Sequence, residues 1–575
     1  MLRTCFCGEI NSSHVGNSVT ILGWIYDLRF LKNLTFLNIR DRTGTVQAVC
    51  SKEVSPSIFL QSLELQQEFC ITASGVVQGR MRKTKGYIKK DVEVIVVSLN
   101  ILNTSKALPI DISFRQIPSE KIQLKYRYLY LRNPDITRIL VRRSEITYFI
   151  HEFMNKNGFI NIETPYLSNL TDGGAKDFLV PSRIKNNRYY ALSQSPQMFK
   201  QMLMISGFER YYQIARCFRN EDSRSNRQPE FTQLDIEMSF ISSKQIRRFI
   251  EEFICKLWKK FLGVDLPDRF PKVTFKDAVR KYGTDKPDLR NYLELVDITS
   301  LLQSFRLNRF MEYCSLEDNC ILIHVKSPLK KTNTDCLKEY QNIGSKFKIK
   351  HFLFVEVSSN IIDRLNRKIF HGFLDMDMFR LLSSTFHLKD GDMICIGIGK
   401  KSLVNRFMGN IRLKIGEDLN ITKKNIWKPV WIVDFPMFKK EESGSLKPTH
   451  HVFTSPKSCD LSKLRSDPTK VISDSYDMVI NGQELGSGSV RIYKREIQKE
   501  IFKILQIEEK DQISKFGFLL DAMQYGAPPH AGFAFGLDRI VMIMLNQTNI
   551  KNVIAFPKTT SASCLMTNAP SKITG

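Results

Sequence analysis

A chain of 575 residues is too long for a single binding module; at roughly 150 residues per domain it predicts three to five domains. Hydrophobic residues at 42% and charged residues at 25% are ordinary globular values, so disordered and fibrous classes are excluded, and no apolar run approaches the ~18 residues of a membrane span. The net charge of +26 suits a polyanionic partner, but Lys, Asn and Ile crowd the chain as they do in proteins from AT-rich genomes, so the charge is permissive and decides nothing.

The first residues, Met1 to Glu9, contain no apolar core of signal-peptide length. Twelve cysteines lie scattered without a C-x-x-C pair, which argues against a disulfide scaffold or zinc ribbon and predicts a reducing, cytoplasmic setting. Residues 1–104 read as strands: Val19 to Ile25, Leu34 to Ile39, Thr45 to Val49, Phe69 to Val77 and Val92 to Val97, with Arg42-Thr43-Gly44 as a tight turn. Five strands in about 100 residues predict a small closed barrel, and the OB-fold is the commonest five-stranded choice. A polar link at Asn103 to Lys106 opens a linker over 105–125.

The hydrophobic period then changes. Asn133-Pro134 supplies a helix start, and Ile136, Ile139, Leu140, Ile146, Phe149, Ile150, Phe153 and Met154 recur at helical spacing up to Asn157-Gly158. A short strand, Phe159 to Ile162, follows and ends at Pro165. Residues 126–289 and 418–575 mix strands and helices in the manner of one α+β domain, interrupted by 290–417. That stretch has its own strands, His351 to Glu356 and Met393 to Ile398, and no cluster of catalytic residue types, so it reads as an inserted domain.

Three segments carry chemistry. The first is Tyr211 to Asp222, a polar loop, and Phe231 to Met238. At a period of two, Gln213, Ala215, Cys217 and Arg219 share one side, and Gln233, Asp235 and Glu237 share the corresponding side of the second strand. The ordinary alternative is a solvated polar face, but the loop adds Arg219, Glu221, Arg224, Arg227 and Gln228 at its mouth, and arginine forks suit phosphate. The second is Tyr476 to Leu485, with Asn481-Gly482 as a two-residue hairpin turn. That turn pairs Val479 with Glu484 and sets Asp477 diagonal to Glu484 at about 7–8 Å, close enough to share Mg²⁺ with phosphate oxygens. The third is Gly526 to Leu545, where Arg539 opens a buried helix against its dipole, a placement better explained by an anionic ligand than by helix stability. No G-x-x-x-x-G-K-[ST] loop occurs.

The helix, strand and Pro165, the Cys217-Phe218-Arg219-Asn220-Glu221 strand pair, and Gly536-Leu537-Asp538-Arg539 resemble the three signature motifs of class II aminoacyl-tRNA synthetases. Gln194 to Lys200, Arg227 to Asp235, His450-His451, Gly488 to Arg491 and Ile554 to Lys558 resemble the bacterial-type aspartyl-tRNA synthetases, over nearly the whole chain. The resemblance implies an α+β protein: an N-terminal five-stranded OB-fold barrel that binds the anticodon, an antiparallel-sheet catalytic domain and an inserted α+β domain. It implies activation of aspartate with ATP to aspartyl-adenylate and pyrophosphate, then transfer to tRNA(Asp). Arg219 and Arg539 would be catalytic. Asn220, Glu221, Gln228, Glu484, Gly536, Leu537 and Asp538 would join them around ATP. Gln197, Lys200, Arg219, Gln233, Asp235, His450 and Arg491 would hold aspartate, and Asp477 and Glu484 would hold Mg²⁺. Arg29, Phe36, Gln47 and Glu93 would meet the anticodon, although a strand Phe is more often core.

The resemblance also implies a homodimer through the helix and strand before Pro165, whose long apolar face would otherwise need a cover within the chain. Two departures stand out. The lid that is usually Thr-Pro-Glu-Gly is Thr171-Asp172-Gly173-Gly174, and the basic run usual in the barrel is Tyr26 to Phe30. Leu31 stands where relatives that misacylate tRNA(Asn) often carry His, which points to tRNA(Asp) alone. Against an asparaginyl-tRNA synthetase stand Lys200 and Arg491, two cations that a neutral amide would leave unpaired. Against an inactive tRNA-binding paralogue stand Arg219, Glu221, Glu484 and Arg539.

Overall fold

The computed structural model describes residues 3–80, 91–112, 116–170, 176–222, 224–304, 315, 317–326, 339–340, 342–344, 347, 349–357, 376–458 and 461–572. Two compact units emerge: residues 1–145 with 549–575, and residues 146–548.

In the first unit, β1 (Ser18–Phe30), β2 (Leu34–Asp41), β3 (Gly44–Ser51), β4 (Cys70–Gly79) and β5 (Val92–Asn103) close a barrel in the order β1-β2-β3-β5-β4. Alternation sends Val19, Ile21, Ile25, Leu37, Ile39, Val46, Ala48, Val94 and Val96 into its core. Phe36 and Asn38 fall on the other face of β2. Residues 549–575 pack with residues 1–145. Buried Arg127 shows how: its guanidinium donates to the carbonyls of Lys551, Ile554 and Ala555 at 2.8–3.0 Å.

Helix α1 (Pro134–Lys156) starts where Asn133 accepts from the Asp135 N–H at 2.8 Å. The second unit holds an eight-stranded sheet. In chain order its strands are β6 (Ile160–Asn161), β7 (Arg210–Phe218), β8 (Glu230–Ser239) and β9 (Lys272–Thr274), then four more after the insertion. The insertion contributes β10 (Leu295–Asp297), β11 (Asp318–Val325), β12 (His351–Glu356) and β13 (Met393–Lys400), a four-stranded antiparallel sheet in the order β10-β11-β13-β12. The remaining strands are β14 (Pro429–Val433), β15 (Ser475–Ile480), β16 (Gln483–Val490) and β17 (His530–Gly536). The large sheet runs β9-β14-β15-β16-β17-β8-β7-β6, antiparallel except at its two edge pairs.

Helices α2 (Gln197–Ile205), α3 (Ser243–Leu262), α4 (Lys401–Asp418) and α5 (Leu537–Met544) complete the frame used below. The apolar stripe of α1 is covered within the chain, contrary to the argument that a second subunit must cover it. Phe149 and Phe153 lie 6.4 and 5.2 Å, ring to ring, from Phe253 of α3. In the insertion, α4 buries Phe407, Met408 and Ile411 against Ile321, Ile323 and Cys395 on one face of the small sheet.

Candidate active site

The strand pair β7–β8 sets Gln213 opposite Asp235 and Ala215 opposite Gln233, as the two-residue period requires. The shared face is not solvated: Gln233, Asp235 and Glu237 are 9%, 1% and 0% exposed. Following the register across β17, β16 and β15, Asp235 leads through Ala534 and Ser487 to Asp477, and Glu237 leads through Gly532 and Ser489 to Ser475. The middle of this floor therefore carries only small side chains, with charged groups at either side.

On one side, four buried charges meet. The Lys200 ammonium, presented by α2, lies 2.6 Å from Asp235 Oδ1 and 3.3 Å from Glu237 Oε2. Arg491 donates to Glu237 Oε1 from Nε at 2.8 Å and to Oε2 from Nη2 at 3.2 Å, while its Nη1 donates to Ser489 at 2.6 Å. Gly532 makes this fork possible, because a Cβ there would stand 1.7 Å from Glu237 Oε2. Burial alone would raise the Glu237 carboxyl, but Arg491 and Lys200 outweigh it and hold it below the usual carboxylate range. The sequence argument against a neutral amide is therefore corrected: Lys200 and Arg491 are not left unpaired, because Glu237 pairs with both. His451 is pushed down to about 3 by burial together with Arg491 and Lys200, so its ring is neutral. Asp235 Oδ2 and Gln197 Nε2 are buried and have no hydrogen-bond partner among the described residues. Gln233 accepts from the Cys217 thiol at 3.2 Å.

Three guanidinium groups gather beyond this cluster. Arg219 stacks over Phe231, 5.0 Å from the ring centroid, and among the described residues no carboxylate lies within ion-pair distance of it. Arg227 pairs with Glu221 at 3.0 Å. Arg539 donates to the Glu484 carbonyl and lies 4.0 Å from Glu484 Oε1; burial lowers its pKa, and Arg227 and Arg219 lower it further by repulsion. Gln228 is buried within the same loop, while Asn220 is exposed and its backbone N–H donates to the Lys176 carbonyl. Asp538 accepts from the Thr232 N–H at 2.8 Å and ties α5 to β8, and Leu537 packs its side chain into the core, 1% exposed. Gly536, at the N-cap of α5, has space over its Cα apart from the Arg539 Cβ.

At the opposite side, Asn481 and Gly482 take φ of 52° and 80°, the mirror-image turn that only such residues adopt easily. Val479 pairs with Glu484 as expected, but a bulge then shifts the register so that Asp477 faces Ser487. The two carboxyls still interact: burial raises Asp477, and the Glu484 charge raises it further, with His450 opposing. The Lys286 ammonium sits 2.7 Å from Glu484 Oε2. His450, expected over aspartate, stands beside the carboxylate pair, its Nε2 3.6 Å from Asp477 Oδ1 and its Nδ1 3.2 Å from Ser475. Among the described residues Asp477 Oδ1, though buried, has no hydrogen-bond partner within 3.5 Å, His450 Nε2 standing just beyond that reach. Among the described residues no cluster of three or more metal-ligating side chains occurs; the oxygens of these two carboxylates are the donor type that a hard divalent cation takes.

In the barrel, the Arg29 guanidinium covers the Phe36 ring at 5.1 Å, and Gln47 donates to Glu93 at 2.7 Å. Phe36 is outside the barrel core, so the core alternative for it fails. Arg80, which sequence reasoning passed over, contacts both Gln47 and Glu93. Lys286 was passed over in the same way, whereas Glu237 and Gly532 lay within the segments singled out but were given no role. The lid segment Thr171 to Gly174 lies outside the described residues.

The fold and the polar floor define a class II synthetase catalytic domain, and a family model for class II tRNA synthetases (D, K and N) matches residues 119–560. A model of the OB-fold nucleic acid binding domain matches residues 19–102. The asparaginyl-tRNA synthetase of Pyrococcus horikoshii, solved with asparaginyl-adenylate, shares the fold at a TM-score of 0.59 and 20% identity, over 97% of this chain and 99% of that one. An aspartate–tRNA ligase of Buchnera aphidicola subsp. Acyrthosiphon pisum (strain Tuc7) is 45% identical over 100% of this chain and 97% of its own length. Another, from Buchnera aphidicola subsp. Baizongia pistaciae (strain Bp), is 45% identical over the full length of both. The chain belongs to the aspartate–tRNA ligases. Among its described residues no helix is long and apolar enough to cross a membrane.

Proposed function

We propose that the chain performs its family's reaction on this floor: aspartate attacks the α-phosphorus of ATP, pyrophosphate leaves, and a hydroxyl of tRNA(Asp) then takes the aspartyl group. The attacking carboxylate is already an anion, so the first step needs no general base, only positioning and charge neutralisation. Arg219, with no carboxylate partner among the described residues, bridges the α-carboxylate and the α-phosphate. Arg539 meets the outer phosphates, with Glu221 and Gln228 as ATP contacts. The unpartnered Asp235 Oδ2 takes the substrate ammonium, with Gln197 and Gln233 beside it, and Lys200 and Arg491 take the side-chain carboxylate. Asp477 and Glu484 hold Mg²⁺, which when bound offsets phosphate charge.

The observation that carries the reading is the balance of the buried cluster. Lys200 and Arg491 are matched by Asp235 and Glu237, so a ligand bringing one ammonium and one side-chain carboxylate keeps the pocket neutral. Asparagine brings the ammonium alone and leaves one surplus buried positive charge, a penalty of about 3–5 kcal/mol. Neutral His451 can add a hydrogen bond without disturbing that balance. We further propose a homodimer, and Arg29, Phe36, Gln47 and Glu93 as anticodon contacts. Charging purified tRNA(Asp) and tRNA(Asn) transcripts with labelled aspartate tests the reading: tRNA(Asp) should accept aspartate and tRNA(Asn) should not, and no charging of tRNA(Asp) would refute it.

A further inference from the structure

Lys286 has no place in the reaction as described, yet its ammonium stands 2.7 Å from a carboxylate oxygen of Glu484. Its backbone is fixed on both sides. Gly283 lies in the left-handed region at φ 70°, so close to α4 that a Cβ there would stand 2.2 Å from the Asn405 carbonyl. Arg412 of α4, fully buried, donates to the carbonyls of Asp288, Asn291 and Leu293 at 2.5–2.9 Å. Asp288 in turn abuts the Asn481–Gly482 turn, its Cβ 3.3 Å from where a Gly482 Cβ would lie. The helix of the inserted domain thus clamps the segment that delivers Lys286 to the hairpin bearing Asp477 and Glu484. The side chain itself is 39% exposed, so it can leave while the backbone stays.

We propose that Lys286 is a counter-cation of the Asp477–Glu484 pair that competes with a divalent cation for these carboxylates. This rests on the reading of those two carboxylates as metal ligands. Two neighbouring carboxylates at a partly buried position repel each other, and an ammonium on one of them relieves that repulsion. A free divalent ion must then displace the ammonium, which weakens its binding. An ion that arrives with a polyphosphate meets less resistance, because the phosphates supply negative charge for the displaced ammonium. The inserted domain contributes by holding the segment in register, not by touching substrate.

The direction of the effect separates this role from a merely structural one. Mn²⁺ alone, without nucleotide, is titrated by electron paramagnetic resonance into the full-length protein, Lys286→Met, Lys286→Arg and Glu484→Gln. Lys286→Met should bind Mn²⁺ about tenfold more tightly than the parent, because one competing charge is gone. Lys286→Arg, which keeps the charge, should stay near the parent, and Glu484→Gln should lose binding. Equal, weaker or absent binding by Lys286→Met, with binding lost in Glu484→Gln, overturns the inference and leaves the metal reading standing. Parent-like binding by Glu484→Gln overturns the metal reading itself. Should Lys286→Met not fold, Lys286→Gln serves for the same comparison.

Discussion

At the scale of single residues Arg219 matters most, because a guanidinium stacked on Phe231 with no carboxylate beside it among the described residues is suited to an anion. Arg219→Ala should lower the adenylation rate by about 10²–10³, the effect of removing one transition-state charge contact; a loss below tenfold in ATP–pyrophosphate exchange would give the arginine another role. Glu237→Gln should cost the catalytic unit about 3–5 kcal/mol in denaturant unfolding, since Lys200 and Arg491 then face each other without the carboxylate they share. His451 predicts an acid limb. Its folded pKa of about 3 lies below the unfolded value of about 6.5, so the unfolded chain takes up a proton as pH falls through that window and stability falls with it. The loss at pH 5 should be on the order of 1 kcal/mol, discounted because the ring is partly exposed, and His451→Gln should flatten it in urea titrations at pH 7 and 5. At this scale the polar side of β7 and β8 was legible, because a period of two needs no tertiary information. Glu237 lay on that side in plain view, but its partner Arg491 is remote in sequence and reaches it only past Gly532. Lys286 gave no local signal at all.

The hairpin β15–β16 shows what an element reveals and hides. Asn481-Gly482 fixed the turn and the first two pairs, whereas the bulge at Leu485 depends on neighbouring strands and left no mark in the sequence. Helix α1 offers the converse case: its apolar spacing was readable, but not that α3 supplies the cover. The dimer proposal therefore rests on other residues. The edge strand β6 leaves Ile160 47% exposed, and Tyr166 and Leu167 just beyond it are 40% and 50% exposed. Light scattering at micromolar concentration should give twice the chain mass, and Ile160→Lys with Leu167→Lys should give the single-chain mass. A parent protein of single-chain mass would remove the proposal.

For the whole molecule, the five-strand count announced the barrel, and the interruption between the two catalytic segments announced the insertion. The contacts that tie residues 549–575 to residues 1–145, such as Arg127 with the Lys551 carbonyl, join positions remote in sequence and left no local signal. Division of labour follows from where the charges lie. Phe36→Ala should raise the apparent KM for tRNA, base stacking being worth about 1–3 kcal/mol, while ATP–pyrophosphate exchange stays near the parent value. A parallel fall of both would make Phe36 a folding residue. The central claim, that a charge-balanced pocket selects an acidic amino acid, is tested most directly by ATP–pyrophosphate exchange with aspartate and asparagine on the same preparation. A penalty of about 3–5 kcal/mol predicts exchange with aspartate at least about 10²-fold more efficient in kcat/KM. Exchange with asparagine at an equal or higher efficiency would contradict it.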